Sequence, residues 1–204
     1  MLGEFGFFSI FYFVMRVVKT DEDIVACNSL VKLKNNKEDV RLHSHDVKYG
    51  TGSGQQSVTA VENGDDVNSY WLLLKTKGKC KRGEPISCGQ TIRLKHHKTS
   101  CYLHSHLFDA PITRGNQEVS CYGKDEESDS GDHWKVLCDS EVWLHNVPVR
   151  LKHEDTGKFL GVSGQTFGRP ISGQYEVVGT TSSQNSALWA AVEGVFMVRS
   201  DKSE

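Results

Sequence analysis

Apolar and polar residues alternate in short runs along most of the chain. VKLK from Val31, VRLH from Val40, IRLK from Ile92, YLHSH from Tyr102 and VRLK from Val149 follow this pattern. A period of two marks half-buried strands. Turn-formers separate the runs: Asn35-Asn36-Lys37, the glycine-rich Gly50-Thr51-Gly52-Ser53-Gly54, Asp155-Thr156-Gly157 and residues 161–164. Beyond the first 24 residues, helical periodicity never persists for more than a turn or two. The pattern predicts an all-β chain of short strands and tight turns.

The runs also recur as longer units. VKLKNNKEDVRLHSH, IRLKHHKTSCYLHSH and VRLKHEDTGKFLGVS begin at Val31, Ile92 and Val149, at offsets of 61 and 57 residues. The same offsets connect Leu33, Leu94 and Leu151, then Leu42, Leu103 and Leu160, then Gln56, Gln117 and Gln174. Each unit closes on a tryptophan, Trp71, Trp134 or Trp189, which predicts core positions. Four strands per unit give about twelve. Three units are too few for a propeller. A closed pseudo-threefold β-trefoil uses three and leaves no free edge. One unit cannot bury its apolar face alone, so the repeats (about 27–82, 88–140 and 145–198) are expected to fold as one domain over 25–198. A leader over 1–24 and a polar tail over 199–204 flank it.

Charge and leader narrow the class. With 24 Lys+Arg against 26 Asp+Glu, the net charge of −2 argues against nucleic-acid binding driven by bulk basic charge. Residues 5–14, FGFFSIFYFV, carry no charge. They are too short to cross a ~30 Å hydrocarbon layer, but match the apolar centre of a secretory signal. Glu4 stands where such signals carry a cation, and no clean small-x-small site follows; a buried strand or a misassigned start is the alternative. No other window suggests membrane insertion.

Six cysteines without a CxxC pair point away from a zinc ribbon and, in a secretory chain, toward disulfides; reduced, partly buried thiols are the alternative. Repeat geometry predicts the pairing. Cys27 and Cys88 each lie four residues before the first strand of their repeats, and Cys80 and Cys138 follow the closing tryptophan strands. First and fourth strands of a unit both belong to the barrel, which favours Cys27–Cys80 and Cys88–Cys138. Aligning Leu103 with Val119 across the second hairpin places Cys101 opposite Cys121 as a third bridge.

Candidate chemistry is sparse. His43 and His45 share a strand face, as do His104 and His106. Such pairs can hold a metal, but a trefoil sets the two a third of a turn apart, so hydrogen-bonding histidines and no metal or cofactor are expected. Gly50–Gly54 has neither phosphate-loop nor GxSxG spacing. Asp132 and His133, as adjacent strand residues, should face opposite ways, so no catalytic residue is expected and the chain reads as no enzyme. Trp143 has no repeat equivalent and reads as an exposed aromatic, and residues 124–132 (KDEESDSGD) read as a solvated turn. The loops after the second strands (46–54, 108–115 and 163–170) carry Tyr49, Arg114 and Arg169 where the core does not dictate identity. With His45 and His106, these residues are the candidates for partner or ligand contact.

VRLHSHDVKYGTGSGQQSVTAV (40–61), YLHSHLFDAPITRGNQEVSCYG (102–123) and FGRPISGQYEVVG (167–179) resemble the MIR repeats of the stromal cell-derived factor 2-like family, over about residues 27–197. MIR repeats also occur in O-mannosyltransferases and calcium-release channels, which are long membrane proteins. The resemblance implies an endoplasmic reticulum (ER) luminal, non-enzymatic chaperone-complex component. It further implies partnership with a J-domain co-chaperone and the BiP-type heat-shock ATPase, binding of misfolded polypeptides, and a role in quality control and the unfolded-protein response. Two features depart from that pattern. Repeat three has Leu160-Gly161-Val162-Ser163 for LHSH, and the ending Asp-Lys-Ser-Glu lacks an ER-retrieval tetrapeptide, so residence would come from a retained partner. The alternative is a carbohydrate-binding trefoil with a glycan ligand. It needs a polar pocket with an aromatic beside it in each competent repeat: repeat two offers Tyr102 and repeat three Phe159, but repeat one has Val40.

Overall fold

A computed structural model describes residues 23–124 and 127–199; nearly all of the expected leader and tail lie outside them. Twelve strands follow one another: β1 (Leu30–Asn35), β2 (Arg41–Lys48), β3 (Gln56–Val61), β4 (Trp71–Lys75), β5 (Thr91–His96), β6 (Tyr102–Asp109), β7 (Gln117–Tyr122), β8 (Trp134–Leu137), β9 (Arg150–His153), β10 (Phe159–Thr166), β11 (Tyr175–Thr180) and β12 (Trp189–Val195). A short 3-10 turn stands just before the closing strand of each repeat, at Val67–Ser69, Ser130–Asp132 and Asn185–Ala187.

The pairings form two sets. Antiparallel pairs β1–β4, β4–β5, β5–β8, β8–β9 and β12–β1, with the bridge Val149↔Trp189 joining the start of β9 to β12, close a ring of six strands. The hairpins β2–β3, β6–β7 and β10–β11 meet through β3, β7 and β11, each of which pairs with the other two. Each hairpin shifts register once, before Lys48, Asp109 and Thr166 respectively, so the shift is threefold like everything around it.

The alternating residues supply the core. Trp71, Trp134 and Trp189 are fully buried, and each indole N–H donates to a β2, β6 or β10 carbonyl (Leu42, Leu103 and Leu160) at 2.9 Å. A buried indole needs such an acceptor, and the same bond three times over ties each closing strand to its own hairpin.

The three predicted disulfides are formed: Cys27–Cys80, Cys88–Cys138 and Cys101–Cys121, with Cα–Cα separations of 5.6, 5.4 and 5.4 Å. The register used for the third was wrong. Leu103 faces Cys121, and Val119 faces Ser105, so the bridge runs diagonally from the residue before β6. A slip of two keeps every side chain on its face, so alternation cannot detect it.

Two other expectations are corrected. Trp143 is fully buried. Its backbone accepts from Val25 N–H and donates to Ile86, pinning the linker between repeats two and three against the chain's first described segment and the linker before repeat two. Gln174 is not the equivalent of Gln56 and Gln117, because Tyr175 opens β11. Gln56 and Gln117 donate through Nε2 to Ser44 and Ser105, whereas the matching site in repeat three is the buried Val162, which offers no hydroxyl.

Candidate functional site

The last residues of β1, β5 and β9 are Asn35, His96 and His153, and each reaches the 3-10 turn before a closing strand. Asn35 Nδ2 donates to Ser186 O (2.9 Å), His96 Nε2 to Asn68 O (2.8 Å) and His153 Nε2 to Gly131 O (2.9 Å). The imidazole Nδ1 atoms are held by Thr99 and Thr156 at 2.8 and 2.9 Å. Burial pushes His96 down to about 4 and His153 below its ordinary value, so both are neutral clamps. Repeat analysis drew attention to LHSH and missed this triad, although the same 61- and 57-residue offsets connect it.

The residue before each 3-10 turn meets the histidine pair of its own repeat. In repeat one Asp66 bonds His43 Nδ1 (2.6 Å) and Ser69 (2.7 Å), and His43 Nε2 bonds His45 Nδ1 (2.7 Å). Both ring nitrogens of His43 are occupied. In repeat two the rings of His104 and His106 lie 4.9 Å apart like those of His43 and His45. There Asp129 accepts from His104 Nε2 at 2.9 Å and from Gly131 N–H at 2.8 Å. Although partial burial raises it, those two bonds hold the Asp129 carboxyl below the usual carboxylate range. His104 Nδ1 has no hydrogen-bond partner, and His106 Nε2 lies 3.7 Å from the buried Glu118. Burial, then its partner histidine, lowers His45 and His106 alike. In repeat three the positions are Gly161 and Gln184.

A cleft of ≈ 630 Å³ opens beside the repeat-two pair. Its walls come from β6, the turn Ser130–Asp132 and the β9–β10 connection, with Lys158 and the Ser130–Asp155 hydrogen bond (2.6 Å) at the rim. Residues 124–132 are thus no simple solvated turn. Asp129 caps the 3-10 turn, and Asp132 is buried beside Arg93 (3.7 Å) and His133 (3.5 Å), its carboxyl raised by burial. Asp132 and His133 touch because neither belongs to a strand. Among the described residues no group of three or more His, Cys, Asp or Glu is placed to hold a metal ion.

Of the predicted contact residues, His106 lines this cleft, and Arg114 lines a neighbouring one with Phe108. Arg169 is exposed on the third hairpin, after Phe167. His45 stands apart in repeat one. Tyr49, expected on an exposed turn, is buried: its hydroxyl donates toward Val58 O (2.9 Å) and Val119 O (3.0 Å), and burial raises its pKa strongly. Tyr102 is buried too and offers no open face for a sugar, since Arg93 covers its ring at 4.9 Å. Sequence reasoning also missed the buried carboxylates Glu118 and Glu176. Glu118 accepts from Ser53 N–H (3.3 Å) and Oγ; Glu176 accepts from the N–H groups of Ile112 (2.6 Å) and Thr113 (3.2 Å) and from Thr113 Oγ1 (2.7 Å). Each repeat thereby latches the hairpin tip of the one before. "NQEV" and "QYEV" carried that signal, a glutamate at an otherwise apolar strand position.

The comparisons agree with this architecture. The MIR domain family matches residues 33–144. Stromal cell-derived factor 2 of Mus musculus is 52% identical over 179 residues, covering 87% of this chain and 84% of that one. The crystal structure of the SDF2-like protein from Arabidopsis thaliana superposes with a TM-score of 0.83 at 43% identity, covering 86% of this chain and 98% of that one. A designed 3-fold symmetric protein, ThreeFoil, shares the fold alone: its TM-score is 0.55 at 15% identity, over 80% of this chain and 98% of its own. Among the described residues no helix is long and apolar enough to cross a membrane. With the MIR match over more than half its length and a relative sharing half its residues along most of both chains, the chain belongs to the stromal cell-derived factor 2 family.

Proposed function

We propose that this chain is a single-domain β-trefoil that serves, without enzymatic activity, in an ER-luminal chaperone complex. It binds a J-domain co-chaperone, and through it the BiP-type ATPase, and it holds misfolded polypeptides for quality control and the unfolded-protein response. Family membership and three disulfides, the chemistry of an oxidising compartment, support the setting. The observation that carries the polypeptide-binding role is an apolar edge on one hairpin only. Leu107 is 87% exposed, Phe108 46% and Ile112 38%. The equivalents of Leu107 are Asp46 and Gly164. Contiguous exposed apolar groups mark contact surfaces.

The test uses the full chain with a purified luminal J-domain protein and a chemically denatured client followed by light scattering. The expected result is co-elution with the J-domain protein and suppressed aggregation, with suppression lost in a Leu107→Ser/Phe108→Ser variant. A chain that neither co-elutes nor suppresses aggregation overturns the proposal. Equal suppression by the variant moves the client surface off this hairpin.

A further inference from the structure

The two histidine pairs have the same residues, spacing and ring separation, yet only one is complete. In repeat one the chain Asp66–His43–His45 fills both nitrogens of the buried imidazole. In repeat two His104 is equally buried, at 2% exposure, but its Nε2–H is spent on Asp129 and its Nδ1 accepts from nothing. A buried acceptor left without a donor costs free energy, so either the site is strained for no return or a ligand supplies the donor. The open cleft lies at this pair. Its ≈ 630 Å³ falls within the ~300–1,000 Å³ of small-ligand sites.

The lining states what would fit. Ten of the twelve wall residues are polar, with Gly131 and Leu107 the exceptions. Asp129 and Asp155 stand against the single ammonium of Lys158, and burial disfavours charge on His106 and His153. Such a wall repels anions such as phosphates and acidic sugars and has no deep apolar pocket for a hydrophobic side chain. Hydroxyl groups, each both donor and acceptor, match an orphan imidazole acceptor set among carboxylate acceptors and an ammonium donor. Leu107 at the rim offers an apolar face to C–H groups.

We propose that the cleft of repeat two, built on His104 and Asp129 and rimmed by Asp155 and Lys158, binds a neutral saccharide, and that repeats one and three do not. This goes beyond the chaperone reading and needs none of its partners.

Isothermal titration of the full chain with glucose, mannose, galactose, N-acetylglucosamine and their disaccharides tests it, with N-acetylneuraminic acid as the anionic control. Saturable binding of a neutral sugar at one site per chain is expected, weakened at least about tenfold in His104→Ala and unchanged in His43→Ala. Should His104→Ala lose cooperative melting, Asp155→Ala and Lys158→Ala alter only the rim and are expected to weaken binding together. No binding by any neutral sugar overturns the proposal. Equal loss in His43→Ala, binding indifferent to all three repeat-two variants, or a preference for the acidic sugar or for an apolar peptide overturns it as well.

Discussion

The six-strand ring and the hairpin end of the molecule have treated the same three repeats differently. In the ring, Trp71, Trp134 and Trp189 keep one residue type, complete burial and one bond length, 2.9 Å, to the equivalent carbonyl. At the hairpin end the matching residues are His43 with Asp66, His104 with Asp129, and Gly161 with Gln184. A Cβ on Gly161 would already stand 3.0 Å from Thr180 Cγ2 and 3.2 Å from Ser186 O, so repeat three has closed where the others hold an imidazole. The ring must fill one shared interior, and a change in one repeat leaves a void that the other two cannot fill. Near the solvent a polar group needs only some partner, so each repeat can satisfy its own in a different way.

The largest test of that contrast is Trp134→Ala, expected to cost about 3–5 kcal/mol by cavity formation. Trp189→Ala should match it, because the sites are equivalent; denaturant unfolding reads both. A cost near that of a surface substitution would show that the ring is not one interior. The disulfides come next. In the chain-entropy model a Cys88→Ser/Cys138→Ser variant should lose roughly 4 kcal/mol, and Cys101→Ser/Cys121→Ser roughly 3, since the sequence separations are 50 and 20. A reversed order would mean that hairpin strain outweighs loop closure.

Somewhat smaller is the pH effect of the clamp. His96 titrates at about 4 in the fold against 6.5 in the open chain. The unfolded state therefore takes up the proton first, and stability falls as pH drops from about 6.5 toward 4, by roughly 3 kcal/mol at the lower end. Above pH 6.5 the group contributes no pH dependence. His96→Asn, which installs the residue of repeat one (Asn35), should flatten that part of the stability–pH curve; an unchanged slope would place the titrating group elsewhere. The smallest expected effect is at the hairpin edge, where Leu107→Ser should alter unfolding stability by no more than about 0.5 kcal/mol.

Much of this was legible in the residues. Alternation located the strands, equal offsets located the repeats, and repeat geometry paired the cysteines. The misreadings have two sources. Tyr49 and Trp143 were judged by composition, a polar tip on a glycine-rich loop and an aromatic after an acid. Burial of the first depends on β3 and β7 converging on its hydroxyl, and of the second on linkers that have no period to read. The cleft escaped notice because its walls come from β6, a 3-10 turn and the connection after β9, more than 40 residues apart in places.

The sequence by itself determined which residues face inward, how many units the chain contains and which positions correspond, because a strand's two faces and a repeat's offset are local properties of the order of residues. Only the tertiary structure decided which repeat abuts which, that Glu118 and Glu176 latch a neighbouring hairpin, and that one of two identical histidine pairs is filled while the other is open. Those outcomes depend on distances between segments far apart in the chain. A hydrogen bond is made or missed over less than an ångström, and residue order does not encode that separation.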